Sequence, residues 1–311
     1  MCVRIGEKYF MRVFSKETAM LNIEQYTELK KVLSAAENLN YAVIKGEPLS
    51  VLCYNKKSMR NSGDIDILIP RDCLAYFESI LSDNGFKVLN QPEKHISRMN
   101  RVLCLNQSHQ IEPYVKELTN CFIQIDINFD IFWGEYDGNR VDIDKFLFDA
   151  VTMDIYSCPI KTLPPLKAMV QLILHSYKDL NSIFLLATRR TIKSDMFEDI
   201  FYLLKNNLES ISVNNLYDLG TEYGIIPYIY YVLYHTGLIF TDDRDLKRYI
   251  DAFRTPEGIS FINFYGLNES ERQEWKVDFY SRLKSDNLYD LIKENLSEKD
   301  VRKLKINSEV F

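Results

Sequence analysis

Residues 59–70 read MRNSGDIDILIP, and the fold turns on what Asp64 and Asp66 do at the head of the apolar run that follows them. Along a strand the side chains at i and i+2 share a face. The two carboxylates are therefore expected together on one face, with Ile65, Ile67 and Ile69 turned to the core. Gly63 breaks the chain just before the acids, and Pro70 closes the run. The tripeptide alone decides little, because Asp142–Ile143–Asp144 repeats it inside VDIDKFLFDA. That copy has no preceding glycine and no strand-length apolar run, and it reads as a capped helix start.

Two carboxylates held this close repel, and each pKa rises unless a cation offsets the charge. Hard oxygen ligands of this kind suit Mg²⁺, which keeps several waters and usually also binds substrate phosphates. A third carboxylate on a neighbouring strand would complete a clamp for two ions about 3.5–4 Å apart. Asp126 is the natural candidate. In the 121–129 segment Ile123, Ile125, Ile127 and Phe129 alternate with Gln124, Asp126 and Asn128, so the acid lies on the polar face of a strand.

Around these strands the chain divides into two parts. Helical spacing runs over 20–38, a short apolar strand follows at 41–44, and a helical turn fits between Ser50 and Tyr54. Asp72 is placed to cap a helix that runs to Asn84, with Gly85 past its end. Further strands are expected near 86–89, 101–105, 110–116 and 121–129. The first part, residues 1–150, thus reads as α+β, with its helices on one face of a mixed sheet. From about residue 151 to 311 the pattern becomes helical. Pro164–Pro165 opens a helix to Tyr177, and further helices are expected over 195–208, 226–236, 243–254, 268–283 and 286–305.

The order Ile44–Lys45–Gly46, then Tyr54, then Arg60, then Gly63–Asp64–Ile65–Asp66–Ile67–Leu68–Ile69 resembles the uncharacterised nucleotidyltransferase family, a branch of the DNA polymerase beta-like superfamily. Members of that branch show a strand ending in Leu-Leu-Lys-Gly, a helix with an aromatic, then Arg and Asp-Ile-Asp-Leu-Leu-Val. Their third acid stands in a later strand reading Val-Asp/Glu-Leu-His-Trp, which here is Ile125–Asp126–Ile127–Asn128–Phe129. The resemblance is specific over residues 40–130 and general beyond them. It departs from the pattern where a Gly-Ser phosphate cradle becomes Gly46–Glu47, and where the histidine after the third acid becomes Asn128.

The resemblance implies transfer of a nucleoside monophosphate from an NTP to a hydroxyl acceptor, with release of pyrophosphate. Asp64, Asp66 and Asp126 would hold two Mg²⁺ ions and carry catalysis. Lys45, Gly46, Arg60 and Gly63 would meet the nucleotide. Lys56 and Lys57 read as solvated.

Composition narrows the partners. The chain has 311 residues, 46% of them hydrophobic and 13% aromatic, and a net charge of −6. It is a globular protein with no overall field for nucleic acid or an anionic membrane. That favours a small-molecule acceptor over tRNA or protein, the targets of toxin-like relatives. A non-catalytic nucleotide-binding scaffold is the third reading, motivated by Glu47. The six cysteines are scattered without a C-x-x-C pair, as in a reduced, cytoplasmic protein. Gly224–Phe240 is uncharged, but it is short and contains Pro227 and His235, so it reads as a core helix and not a membrane span. Four histidines without H-x-x-x-H spacing argue against zinc, and no P-loop, dinucleotide or serine-hydrolase motif occurs. Two further features have a solvated or core reading beside a functional one: the basic segment Arg189–Arg190–Thr191–Ile192–Lys193, and His175, close to Asp179 on an apolar helix. Trp133 and the tyrosines of the second half read as core.

Overall fold

The computed structural model describes residues 16–60, 63–89, 98–133, 140–189 and 191–310. Asn61, Ser62 and Arg190 lie outside these residues. The chain opens with α1 (Lys16–Ala35), β1 (Ala42–Val43), α2 (Glu47–Tyr54), β2 (Ile65–Leu68), α3 (Leu74–Asp83) and β3 (Lys87–Val88). It continues with α4 (Arg98–Gln107), β4 (Tyr114–Glu117), β5 (Phe122–Asn128), α5 (Ile143–Leu147), β6 (Val151–Ile155) and β7 (Cys158–Thr162). Seven strands form one mixed sheet in the order β3-β4-β5-β2-β1-β7-β6. β2–β5 and β1–β7 pair in parallel, and the other neighbours are antiparallel.

Pairing of β2 with β5 sets Ile65 beside Ile125, Asp66 beside Asp126 and Ile67 beside Ile127. The isoleucines of both strands enter one core with Leu29 and Val32 of α1 and Phe77 and Leu81 of α3. By the alternation of a strand, Asp66, Asp126 and Asn128 turn to the opposite face. That face is covered as well. Leu49 and Cys53 of α2 share a second core with Leu68 and the helices after residue 164. The expectation of helices on one face only therefore fails: α1 and α3 lie on one side, α2 and the later helices on the other.

Those later helices are α6 (Pro165–Asn181), α7 (Ile183–Thr188), α8 (Asp195–Asn206), α9 (Val213–Glu222), α10 (Ile226–Ile239), α11 (Arg244–Ala252) and α12 (Pro256–Phe261). They are followed by the small hairpin β8 (Phe264–Tyr265) and β9 (Gln273–Glu274), and by α13 (Phe279–Leu283), α14 (Leu288–Ile292) and α15 (Glu298–Val310). Trp133 stacks on Tyr177 at 5.5 Å, and Tyr177 meets Tyr228 at 4.5 Å, so these aromatics are core. α10 lies among them, with Tyr231, Val232 and Leu233 essentially inaccessible. Among the described residues no helix is long and apolar enough to cross a membrane.

Four other expectations change. Residues 101–105 belong to helix α4, because a short apolar run such as VLCL fits either period. Arg101 settles the matter from outside the segment, its guanidinium meeting both oxygens of Glu78 at 3.1 and 2.6 Å. The sheet does not end at residue 150, since β6 and β7 extend it to Thr162, and the helical part begins at Pro165. The helix expected over 268–283 is a 3₁₀ turn, strand β9 and α13. Gly266 stands at φ 105°, where a Cβ would run into the Glu271 carbonyl, so the chain turns there. The helix expected over 286–305 is broken before Ser297, whose hydroxyl and amide exchange bonds with the amide and carboxylate of Asp300, a capping box that starts α15.

The second Asp-Ile-Asp behaves as read. The Asp142 carboxylate accepts from the Lys145 amide at 3.1 Å and caps α5. Asp142→Ala is expected to lower stability in urea unfolding by about 1 kcal/mol, with transferase activity unchanged.

Candidate active site

β1 ends at Val43, and Lys45 and Gly46 just beyond it shape one wall of the site. Gly46 stands at φ 63°, ψ −132°, a backbone state that a side chain would strain. This sharp turn starts α2 immediately beside β1. Lys45 is left pointing across to β2, where its ammonium meets Asp66 Oδ1 at 2.7 Å. Glu47, in the place of the cradle serine, turns away from the acids. Its carboxylate accepts from the Ser58 amide at 2.7 Å and from Asn22 Nδ2 at 2.8 Å, fastening the loop after α2 to α1.

Asp66 and Asp126 are 3% and 8% exposed, side by side on adjacent strands. Asn128 Nδ2 donates to Asp66 Oδ1 at 3.3 Å, and Gln124 Nε2 donates to Asp126 Oδ1 at 2.9 Å. Burial, reinforced by the negative charges of Asp66 and Asp64, pushes the Asp126 carboxyl up to about 6 against the opposing Gln124 bond. Asp64 stands one residue ahead of β2 and lines the same cleft.

That cleft has a volume of about 560 Å³, within the range of small-ligand sites. The acids, Lys45 and Gly63 form its sheet side, and α6, the loop after α7 and the start of α8 form the other. The sequence-derived site residues Lys45, Arg60, Gly63, Asp64, Asp66 and Asp126 all line it. Gly46 acts from behind, by shaping the turn. Lys56 and Lys57 stay outside, and Lys57 lies over the Tyr156 ring. Arg189, Thr191 and Lys193 bring the basic segment to the cleft.

The donor types fit a divalent cation: three hard carboxylates, one of them with its pKa raised chiefly by burial. Lys45 and Asn128 meet Oδ1 of Asp66, and Gln124 meets Oδ1 of Asp126. Among the described residues no three His, Cys, Asp or Glu side chains converge closely enough to hold a metal ion.

Several site residues escaped sequence reasoning. Asp199 of α8, 3% exposed, accepts from Arg60 Nε at 2.7 Å on one oxygen and from Tyr54 OH at 2.7 Å on the other. It thus fixes the arginine that follows α2 from the helical part. Its signal in the sequence was faint, a single acid on the apolar face of MFEDIFYLL. α6 contributes His175, Ser176, Lys178 and Asp179 to the cleft. His175 Nε2 lies 3.5 Å from Asp179 Oδ2, and Arg189 also pairs with Asp179. Burial, and then the charges of Lys45, Lys178 and Arg189, push the His175 pKa well below its ordinary value, so the imidazole is neutral.

A mixed sheet with paired acids at one face, a glycine turn into a helix and a cleft lined by acids and cations alike accompany a match to a nucleotidyltransferase family. The chain belongs to the uncharacterised nucleotidyltransferase family, whose model matches residues 10–241. The antibiotic-resistance factor ANT(2'')-Ia in solution is similar at 14% identity and a TM-score of 0.37, over 65% of this chain and 95% of that one. A crystal structure of ANT(2'')-Ia with adenylyl-2''-tobramycin gives 14% and 0.35, over 64% and 98%. An antigenic nucleotidyltransferase-like protein from Paracoccidioides brasiliensis gives 12% and 0.33, over 74% and 93%. The sequence matches no curated protein.

Two outcomes check this geometry. Asp199→Ala strands the Arg60 guanidinium in a buried position, and denaturant unfolding should register a loss of about 3 kcal/mol. Asp199→Asn, which keeps an acceptor oxygen, should lose less. The raised Asp126 pKa also has a direction. A carboxyl whose folded pKa exceeds its unfolded value of about 3.9 adds stability below pH 4, and that stability is lost as pH rises through 6. In metal-free buffer, Asp126→Asn should gain on the wild type by about 2 kcal/mol between pH 4 and pH 7. A difference independent of pH contradicts the assignment.

Proposed function

We propose that this enzyme moves a nucleoside monophosphate from an NTP to a hydroxyl group of a small molecule, releasing pyrophosphate, and that it works in the cytoplasm with Mg²⁺. The observation that carries the reading is the register of β2 on β5, which puts Asp66 and Asp126 abreast at the floor of a cleft edged by Lys45 and Arg60. The five described cysteines, all free and three of them buried, suit a reducing compartment.

Asp64, Asp66 and Asp126 would hold the magnesium, which supplies charge neutralisation to the phosphates and lowers the pKa of the attacking hydroxyl. The remaining work falls to the chain. Arg60, held by Asp199 through Nε, presents its other nitrogens to the triphosphate as a planar fork. Lys45, displaced from Asp66, is placed to neutralise phosphate charge, and the Gly46 turn and Gly63 let the nucleotide approach the backbone. The acceptor oxygen attacks the α-phosphorus in line, the bond to the bridging oxygen breaks, and the proton passes to a carboxylate oxygen of Asp126. The walls of α6 and α8 limit water around the reacting atoms, so catalysis is chiefly positioning and electrostatics.

A screen of the four NTPs labelled at the α-phosphate, against cell extract and Mg²⁺, tests the proposal by the appearance of a labelled product. Asp64→Asn and Asp126→Asn should each reduce transfer at least about a hundredfold with the fold intact by circular dichroism. Transfer undiminished in Asp64→Asn refutes the catalytic assignment. NTP binding in calorimetry without transfer to any acceptor indicates the non-catalytic scaffold instead.

A further inference from the structure

Lys178 is the cleft cation whose environment the transfer reaction leaves unexplained. It projects from α6, a helix otherwise buried along most of its length. Its Nζ meets a ring nitrogen, His109 Nε2, at 3.0 Å, and among the described residues no carboxylate lies within salt-bridge distance of it. Lys45 is paired with Asp66, Arg60 with Asp199 and Arg189 with Asp179. A half-buried ammonium facing a neutral ring is costly unless a ligand brings the counter-charge. Consistent with that cost, burial pushes its pKa down to about 8, against the pull of Asp179 and with the like charges of Lys45 and Arg189 adding to the depression.

Lys178 shares a small cavity with Lys45, His109 and Asn128, toward the β5 side of the cleft. Arg60 follows α2 and is fastened to α8, on the β1 side of Asp66. Lys178 is held by His109, whose carbonyl accepts from the Phe129 amide at 2.9 Å at the end of β5. It therefore stands on the side of the strand that carries Asp126, the residue assigned to the attacking hydroxyl. Beside it on the same helix, the Ser176 hydroxyl is fully buried, lines the cleft and has no hydrogen-bond partner. Arg189 and Lys193 approach from the loop after α7. A dianionic group with three acceptor oxygens matches several converging donors better than a single carboxylate does.

We propose that Lys178, with Ser176 and Arg189, binds a phosphate monoester on the acceptor, so that the compound receiving the nucleotide is a phosphorylated, hydroxyl-bearing small molecule. This rests on the transferase reading and narrows it to acceptors that carry a phosphate.

The test separates the two claims. Inorganic phosphate is titrated by calorimetry into the full chain saturated with Mg²⁺ and a non-hydrolysable NTP analogue. Wild type should bind it, Lys178→Met at least tenfold more weakly, and Lys178→Arg nearly as well as wild type, all three with the same unfolding midpoint within a few degrees. Equal binding by wild type and Lys178→Met overturns the proposal. So does loss of phosphate binding when the analogue is present, which would assign Lys178 to the triphosphate. In a second arm, labelled NTPs are offered ribose, ribose 5-phosphate, an aminoglycoside and total RNA. Label entering ribose 5-phosphate at least tenfold faster than ribose supports the proposal, and preference for the sugar, the aminoglycoside or RNA overturns it. If the analogue itself does not bind, the transferase reading fails, and phosphate binding without it still compares wild type with Lys178→Met.

Discussion

The parallel pairing of β2 with β5 is the constraint from which the site follows. Both strands bury one face of isoleucines, and a slip of one residue would turn every one of them to the wrong side. The register is therefore held by the core beneath α1 and α3, not by the acids above it. Asp66 and Asp126 are carried along, brought abreast although like charge opposes the arrangement. The free energy for holding them comes from apolar burial on the opposite face. An active site of this kind is strained electrostatically and stable structurally, and the rise of the Asp126 pKa measures the strain.

The resting site relieves part of that strain internally. The Lys45 ammonium sits on Asp66, and amides from Gln124 and Asn128 fill further acceptor positions. Lys45 is thus the counter-ion of Asp66. Glu47 is part of the same economy. A carboxylate facing the triphosphate would repel it, but here it is spent on Ser58 and Asn22 and shapes the loop that leads to Arg60.

The helical part is a full partner in the site. α8 fixes Arg60 through Asp199, and α6 supplies the neutral His175, the orphaned Ser176 hydroxyl and the cation Lys178. The family match runs through the helices of this wall as well as the sheet, over residues 10–241.

The strand pattern around residues 59–70 and 121–129, the glycine turn and the three acids were legible because period-two alternation and punctuation by glycine and proline are local properties. The capped start at Asp142 was legible for the same reason. The elements misread were those where local preference is balanced: a four-residue apolar run that Arg101 and Glu78 settle as helix, and a hairpin at 151–162 whose place is at the far edge of the sheet. Lys178, Asp179 and Asp199 carried almost no local signal, since each is one polar residue on an apolar helix. Which of them faces a cleft, and which charge each one meets there, depends on packing between residues more than 100 apart along the chain, as between Arg60 and Asp199, at a separation of 139. The sequence by itself determined the two acid-bearing strands and the face their acids share. Only the tertiary structure decided what surrounds them, because electrostatic partners are chosen by proximity in space and not by spacing along the chain.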